Sequence, residues 1–295
     1  MTTATPPNAA ESTLERAAER IAPVLAEALA GPGDVRAAAR YAIEAGGKRL
    51  RPALLLATAD ALRANAAEAE AVAAAWECVH TYSLVHDDLP CMDDDDLRRG
   101  RPSTHRAFSV PVAVRAGAYL LATAFSLVGR IPDLSRRFEV ARILGDASGA
   151  KGMVGGQALD ILGEHDHAAT VEDLERIHKG KTAALISGAV VAGGVLGGAS
   201  AAALERLARA GASIGLAFQI ADDILDATST PEAMGKPTQA DASKGKRTYP
   251  ALLGIDAARA RADAALDAAL RDLAGAGVPD GPLPDLFRFV VRRGR

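Results

Sequence analysis

Residues 86–100 read HDDLPCMDDDDLRRG and hold six aspartates, which are followed after Leu97 by two arginines. The preceding stretch, Glu68–His86, has helical periodicity without glycine or proline. It predicts a helix that carries Asp87 and Asp88 at its C-terminal end, and Pro90, which has no amide donor, should end that helix or make it bulge. Because a helix C-terminus already carries partial negative charge, carboxylates placed there call for a cation.

A second acidic group lies far downstream in QIADDILD, residues 219–226. The apolar spacing predicts a helix over Gly211–Thr228 that includes it. On this helix Asp222 and Asp226 are four residues apart and face one direction, while Asp223 lies about 100° around. Either the chain has two unrelated acidic patches, or the two groups meet in the fold and share a ligand.

In the first group, Asp87 and Asp93 are six residues apart, a spacing that a straight helix does not align. A bulge at Pro90 would let the chain bring Asp93 back beside Asp87. Carboxylate oxygens without a nearby pair of histidines or cysteines suit a hard divalent ion such as Mg²⁺, which usually bridges substrate phosphates. The two groups therefore indicate metal ions held around a polyanion.

Cationic side chains that could bind such a polyanion lie beside the acidic groups and in a glycine corner at residues 46–47. Arginine grips phosphate oxygens in a bidentate way, and lysine supplies a point charge. The candidates are Lys48, Arg51, Arg98, Arg99, Lys181 with its neighbour Thr182, Lys236 and Lys246. This set of residues describes a diphosphate site.

Simpler explanations exist for each feature taken alone. A run of aspartates is usually a solvated loop, and a lone DDxxD on a helix can be a surface patch. His80 lies on the same helical face as Asp87 and is compatible with a core histidine or with a ligand. Two acidic groups on helices, each near basic residues, favour the functional interpretation.

Composition limits the class of protein. The 295 residues are 49% hydrophobic and only 4% aromatic, which favours helices over strands. We expect an all-α fold in a single domain over residues 1–295, with a flexible tail at 1–11. The net charge of -3 argues against nucleic acid as a partner, and two cysteines without a signal peptide fit a reducing cytoplasm.

Several helix boundaries follow from local signals. Ser12 with Glu15 predicts a capping box that opens a helix running to about Ala30. A second helix is predicted over Asp34–Ala45, and a third begins at Pro52. Thr170 with Asp173 caps a further helix downstream.

One uncharged stretch, Ala183–Leu204, is long enough to test as a membrane span. Two glycine pairs interrupt it, and we expect two buried helices joined near Gly193 and no transmembrane segment.

The quoted motifs resemble those of the trans-type polyprenyl diphosphate synthases, and most closely the bacterial farnesyl type. Besides residues 77–105, which contain the opening stretch, the similar segments are GGKRLRP (46–52), GMVGGQALD (152–160), KTAALI (181–186), GLAFQIADDILD (215–226), GK (235–236) and KRTYPALLG (246–254). They span most of the chain in the order found in that family. The resemblance implies an all-α isoprenoid synthase fold around a deep central cavity, and a homodimer.

The resemblance also implies roles for individual residues. Asp87, Asp93 and Asp222 match metal ligands that together hold three Mg²⁺ ions. Arg98, Lys181 and Lys236 match contacts to the allylic diphosphate, with Lys246 as a further substrate contact. The isopentenyl diphosphate site corresponds to Lys48, Arg51, His80 and Arg99, and the reacting region is lined by Thr182 and Gln219.

The implied reaction is a head-to-tail condensation of isopentenyl diphosphate with dimethylallyl or geranyl diphosphate. Tyr82 and Ser83, five and four residues before the first motif, match positions that limit chain growth, and Tyr82 points to farnesyl diphosphate over geranylgeranyl or geranyl diphosphate. The chain departs from the family pattern at Ala118 and Tyr119, where Tyr119 would shorten the cavity or pack at the dimer interface.

Two other activities are compatible with parts of the sequence. A terpene cyclase shares the fold and the first motif, but its second motif differs from DDILD and it has no use for GGKRLRP. A noncatalytic partner subunit would tend to lack aspartates that are all present here.

Overall fold

The structure, a computed structural model, describes residues 8–163, 170–228 and 248–292. Two of the predicted substrate-binding residues, Lys236 and Lys246, lie outside these ranges, as does most of the expected tail. The helices are α1 (Ala9–Ala28), α2 (Asp34–Glu44), α3 (Leu50–Ala61), α4 (Ala66–Asp87), α5 (Thr104–Ala107), α6 (Val110–Val128), α7 (Leu134–Ser148), α8 (Met153–Gly163), α9 (Val171–His178), a π-helical turn (Lys179–Ala183), α10 (Ala184–Leu196), α11 (Ala201–Thr228), α12 (Tyr249–Leu253), α13 (Ile255–Gly275) and α14 (Pro282–Arg292). The prediction of an all-α fold is confirmed.

A two-residue hairpin is the exception to the helical pattern among the described residues. Strand β1 (Leu97–Arg98) pairs antiparallel with β2 (Arg101–Pro102). The connecting residues Arg99 and Gly100 both have positive φ, 56° and 76°. Two consecutive left-handed residues are what a tight hairpin turn needs to match strand twist.

The first helix begins earlier than predicted. Its capping box is formed by Asn8 and Glu11: the Asn8 side chain accepts from the Glu11 amide at 3.0 Å, and the Glu11 carboxylate accepts from the Asn8 amide at 2.9 Å. The predicted box at Ser12 and Glu15 is wrong by one turn, because the Ser12 amide already donates to the Asn8 carbonyl within the helix. Residues 9–11 are therefore helical and not part of a tail.

The core is built around α4, which packs against α1, α3, α6 and α10. Its middle is buried on all sides, including Trp76, whose indole N–H donates to the Leu185 carbonyl at 3.1 Å. A helix that is apolar around its whole circumference belongs inside a bundle. This burial fixes the direction in which α4 presents Asp87 at its end.

Helix α10 also lies in the core, and glycines let it approach its neighbours closely. A Cβ added to Gly193 would lie 2.6 Å from the Leu55 carbonyl oxygen of α3. The predicted break near Gly193 is therefore wrong: the helix continues to Leu196 and the chain turns at Gly198, which has a φ of 70°. The next helix is a single long one from Ala201, and it includes the segment predicted to begin at Gly211.

Helix α6 has one face that is apolar and exposed. Val110, Val114 and Phe125 are 41%, 43% and 40% exposed. By length and composition this is the one helix of the described chain that could cross a membrane, although its inner face packs on α4. The uncharged stretch from Ala183 instead forms the buried helix α10 and the exposed start of α11.

Candidate active site

The chain folds back on itself directly after α4. The Leu89 amide donates to the His86 carbonyl, and the Asp93 amide donates to the Asp87 carbonyl at 2.8 Å. Pro90 lies exposed at the apex of this loop. The prediction that the break at Pro90 returns Asp93 to Asp87 is confirmed.

Asp87 lies in surroundings that disfavour its ionised form. Burial, with the negative charge of Asp93, raises the pKa of Asp87 to about 6, while Lys181 and Arg98 act in the opposite direction. A carboxylate that is partly desolvated beside another carboxylate gains most from a cation placed between them. This donor set fits a hard divalent ion.

Arg98 is held by the neighbouring carboxylate of the first motif. Its guanidinium makes a forked ion pair with Asp88, with Nε 2.9 Å from Oδ1, and a weaker pair with Asp95 at 3.3 Å. Asp88 is only 2% exposed. Asp88 therefore orients Arg98 at the base of the hairpin, and the planar fork leaves further N–H donors for a phosphate.

The glycine corner lies against the other hairpin arginine. A Cβ added to Gly47 would lie 2.2 Å from Nη1 of Arg99, so only glycine leaves room for that guanidinium. The φ of Gly47 is 126°, which disfavours other residues as well. In the same corner Lys48 is exposed and Arg51 partly buried.

His80 lies among these arginines. Burial lowers the pKa of His80 well below its usual value, and Arg51 and Arg99 lower it further. The imidazole is therefore neutral near pH 7 and can donate one hydrogen bond without adding charge.

The π-helical turn at residues 179–183 holds Lys181, whose ammonium donates to the Asp160 carboxylate of α8 at 2.6 Å. Thr182 follows, partly buried. The turn meets α8 backbone to backbone: a Cβ added to Gly156 would lie 2.0 Å from the Lys181 amide nitrogen. Such π-helical turns interrupt α-helices most often at functional sites.

The same turn connects the two acidic groups. The charge of Lys181 acts on the pKa of Asp87 at one side. At the other side the turn packs on α11, where a Cβ added to Gly215 would lie 2.5 Å from the Ala183 side chain. Gly215 is two turns before Asp222 and thus on the same face of α11.

The second motif divides its aspartates between two environments. Asp222 and Asp226 are partly buried, whereas Asp223 is 4% exposed. Asp223 accepts the backbone amide of Tyr249 at 3.0 Å and the side-chain amide of Gln219 at 3.1 Å. Asp223 therefore ties α11 to the start of α12 and orients Gln219.

The two positions predicted to limit chain growth differ in their surroundings. Tyr82 is 7% exposed and its ring meets His86 edge-on, with centroids 5.7 Å apart. The Ser83 hydroxyl donates to the His80 carbonyl of its own helix. Only Tyr82 is bulky and buried.

Tyr119 is partly buried between α6, the end of α1 and α2. Its hydroxyl donates to the Ala28 carbonyl at 3.3 Å, and the Arg36 guanidinium lies over its ring at 5.7 Å. The side chain thus ties α6 to the end of α1 and to α2.

The remaining aspartates of the first group lie at the surface. Oxygens of Asp94 and Asp96 and a ring nitrogen of His105 lie within 4.8 Å of one another. Arg106 pairs with both carboxylates, at 3.8 Å for Asp94 and 2.5 Å for Asp96. The guanidinium already offsets part of the negative charge of this exposed pair.

Three residues of this region were not predicted. Asp160 ends the motif GMVGGQALD, so its position was visible but not its partner Lys181. Arg49 and Glu77 form a buried ion pair. Glu77 is the one charged residue in the apolar run AVAAAWECV (71–79), and a charge in such a run is the signal that could have found it.

Comparison with known proteins gives consistent matches. The polyprenyl synthetase family matches residues 33–276. Farnesyl diphosphate synthase of Geobacillus stearothermophilus is 43% identical over 97% of this chain and 94% of its own, and that of Escherichia coli is 44% identical over 87% and 88%. The crystal structure of an FPP/GFPP synthase from Zymomonas mobilis is 38% identical, with a TM-score of 0.83, over 95% of this chain and 96% of that one.

Proposed function

The chain belongs to the polyprenyl synthetase family, and from this premise we propose the reaction that it carries out. It is a short-chain trans-prenyltransferase, which condenses isopentenyl diphosphate with dimethylallyl or geranyl diphosphate head-to-tail and forms farnesyl diphosphate and diphosphate. The observation that carries this proposal is the return of Asp93 to Asp87 within reach of the charges of Arg98 and Lys181. The relatives named farnesyl diphosphate synthase support the same reaction.

Mg²⁺ is the cofactor that suits these carboxylates. Asp87 and Asp93 would hold it from the first motif and Asp222 from the second, with three ions in the full set. Bound there, Mg²⁺ would supply positive charge that offsets the negative charge of the diphosphate leaving group.

The side chains of this chain supply position and charge. Arg98 and Lys181 bind the allylic diphosphate, oriented by Asp88 and Asp160. The isopentenyl diphosphate is bound by Arg99, together with Lys48, Arg51 and neutral His80. Two diphosphates held by separate sets of cations bring the double bond of one substrate to the cationic carbon of the other.

The proton lost in the last step leaves with the released diphosphate. His80 is a poor acceptor for it, because burial and the neighbouring arginines lower the pKa of its imidazole. Apolar faces of α4 and α10 beneath the acidic groups exclude water from the allylic cation. Thr182 and Gln219 line the reacting region in this proposal. Lys236 and Lys246 are assigned to the substrate by resemblance alone.

Product length depends on the floor below the first motif. Tyr82 is buried one to two turns before Asp87, which supports a C15 limit. Longer products are the alternative, since the Zymomonas mobilis protein is described as an FPP/GFPP synthase. Mass spectrometry of the products formed with Mg²⁺, isopentenyl diphosphate and each allylic diphosphate decides between them.

The exposed face of α6 supports a homodimer. Val110, Val114 and Phe125 lie on one apolar side of this helix, and Leu134 and Phe138 of α7 are 73% and 71% exposed. A second copy of the chain would cover these side chains, because contiguous apolar patches of this kind mark interfaces. Light scattering coupled to size-exclusion chromatography should give twice the 30.3 kDa chain mass.

The enzyme assay also separates the competing activities. Release of diphosphate that requires both substrates supports the transferase. A cyclic hydrocarbon formed from one allylic diphosphate would indicate a terpene cyclase, and no turnover with any allylic substrate would indicate a noncatalytic subunit. We also propose a cytoplasmic location, in which Cys78 and Cys91 stay reduced.

A further inference from the structure

The isopentenyl diphosphate site gathers like charges, and the structure shows what holds them in place. Arg49, Arg51, Arg98 and Arg99 all lower the pKa of His80, after its burial, and therefore lie near one point. Burial lowers the pKa of Arg99 as well, and the charges of Arg49 and Arg98 act in the same direction. Such a cluster repels itself when no diphosphate is bound.

Glu77 is the acid inside this cluster. It is 2% exposed, its Oε1 accepts an ion-paired hydrogen bond from Nη1 of Arg49, and its charge raises the pKa of Arg99 against the other effects. Among the described residues its second oxygen, Oε2, is buried without a hydrogen-bond partner. A buried carboxylate with half its acceptors unused beside several arginines is under strong positive potential.

Arg49 connects Glu77 to the backbone of the glycine corner. It stands at the start of α3 with a φ of 50°, a left-handed conformation that is rare for arginine. Its guanidinium also donates to the Ile43 carbonyl of α2. The pair therefore joins α2, the corner and α4.

Two residues assigned to the substrate lie close to Arg49 in the sequence. Lys48 precedes it and is exposed, and Arg51 follows after Leu50. The ion pair with Glu77 compensates the charge of Arg49 beside theirs. A corner that lost this anchor would be free to leave its left-handed conformation and to move Lys48.

We propose that Glu77 is a positioning residue of the isopentenyl diphosphate site: it fixes Arg49 inward, and thereby places Lys48, Arg51 and Arg99 around the substrate diphosphate. The inference rests on the proposed function. It assigns Glu77 no contact with the substrate.

The test is a separation of the two Michaelis constants, measured with Mg²⁺ in the full-length protein. Glu77→Gln keeps the shape of the side chain and removes its charge. The KM for isopentenyl diphosphate should rise by about tenfold or more, while the KM for geranyl diphosphate stays unchanged. The matched control is Glu70→Gln, which removes a carboxylate from the same helix, paired with Arg20 away from the site, and should change neither constant.

Unchanged constants in Glu77→Gln would overturn the proposal, and so would equal shifts in both, which indicate general loosening. A lower KM for isopentenyl diphosphate would show that only the repulsive charge of Glu77 matters, and would overturn it too. If Glu77→Gln does not fold, the double variant Arg49→Met with Glu77→Leu decides, because apolar replacement of a buried ion pair is often tolerated. A folded double variant with the wild-type KM would refute positioning, and an inactive wild-type protein would instead refute the proposed function.

Discussion

The ammonium of Lys181 donates to the carboxylate of Asp160 at 2.6 Å, across the contact between the π-helical turn and α8. Arg98 is paired in the same way with Asp88. Two cations assigned to the allylic diphosphate are thus already aimed by carboxylates. The diphosphate meets them in place and does not have to order long side chains.

Asp160→Asn tests this aiming of Lys181. Without the negative charge of Asp160, the Lys181 ammonium is no longer held in one position. The kcat/KM for the allylic substrate should therefore fall about tenfold. Steady-state kinetics with each substrate varied in turn measures the effect. Asp146→Asn, which loses a surface pair with Arg142, is the control, and an equal loss there would contradict a specific role.

Asp87→Asn and Asp222→Asn test the shared metal site. Each removes a proposed ligand, and turnover should fall by about 10²–10³-fold because charge on the leaving diphosphate is no longer balanced. Diphosphate release at increasing Mg²⁺ measures it, with circular dichroism to check the fold. Asp94→Asn, next to the site but paired with Arg106, should change turnover by less than about twofold.

Tyr82→Ala tests the floor of the chain-growth region. Removing a buried ring opens space, and the product should lengthen beyond C15 as seen by mass spectrometry. Tyr119→Phe is the matched control on α6: it loses the bond to the Ala28 carbonyl, about 1 kcal/mol of unfolding free energy, and should keep the product. The same product from both variants would remove Tyr82 from this role.

Gly193→Ala tests the close packing of α10 on α3. The added methyl would lie 2.6 Å from the Leu55 carbonyl, so the free energy of unfolding should fall by about 1–3 kcal/mol. Gly145→Ala in α7 has nothing within 4 Å and should instead raise it by about 0.5–1 kcal/mol. Denaturant unfolding of both variants measures the difference, and the same sign in both would contradict this packing.

The pH dependence of stability tests the environment of His178. Burial, assisted by Lys181, lowers the pKa of His178 from 6.5 to about 4. Because folding lowers the pKa of His178, the unfolded chain binds the proton more readily than the folded protein. The contribution of neutral His178 to the free energy of unfolding is therefore complete above pH 6.5 and is lost as the pH falls toward 4. At pH 5 the loss is about 2 kcal/mol, and His178→Phe should unfold with a flatter pH profile. Parallel profiles would exclude the assignment.

The sequence was most informative where one residue determines the local geometry. The position of Pro90 predicted both the end of α4 and the return of Asp93, because proline has no amide N–H to continue the helical hydrogen bonds. The capping box was ambiguous, since Asn8 with Glu11 and Ser12 with Glu15 carry the same pattern one turn apart. Only packing of the apolar face of α1 distinguishes them.

Other features depended on partners that are distant in sequence. Gly193 resembles a helix break in isolation, but it serves close contact with α3. The roles of Asp160 and Glu77 follow from their ion pairs with Lys181 and Arg49, which are distant from them in sequence. Ion pairs between helices leave no periodic signal, and single-sequence reasoning misses them for that reason.

The hairpin turn at Arg99 and Gly100 has a kinetic consequence. Arg98 is oriented by Asp88, while Arg99 lies against Gly47 in the glycine corner. Consecutive Cα atoms are about 3.8 Å apart, so one peptide unit joins the guanidinium assigned to the first diphosphate to that assigned to the second. Because both arginines are placed by this one turn, a substitution that changes its backbone, such as Gly100→Ala at a φ of 76°, should raise the KM for both substrates.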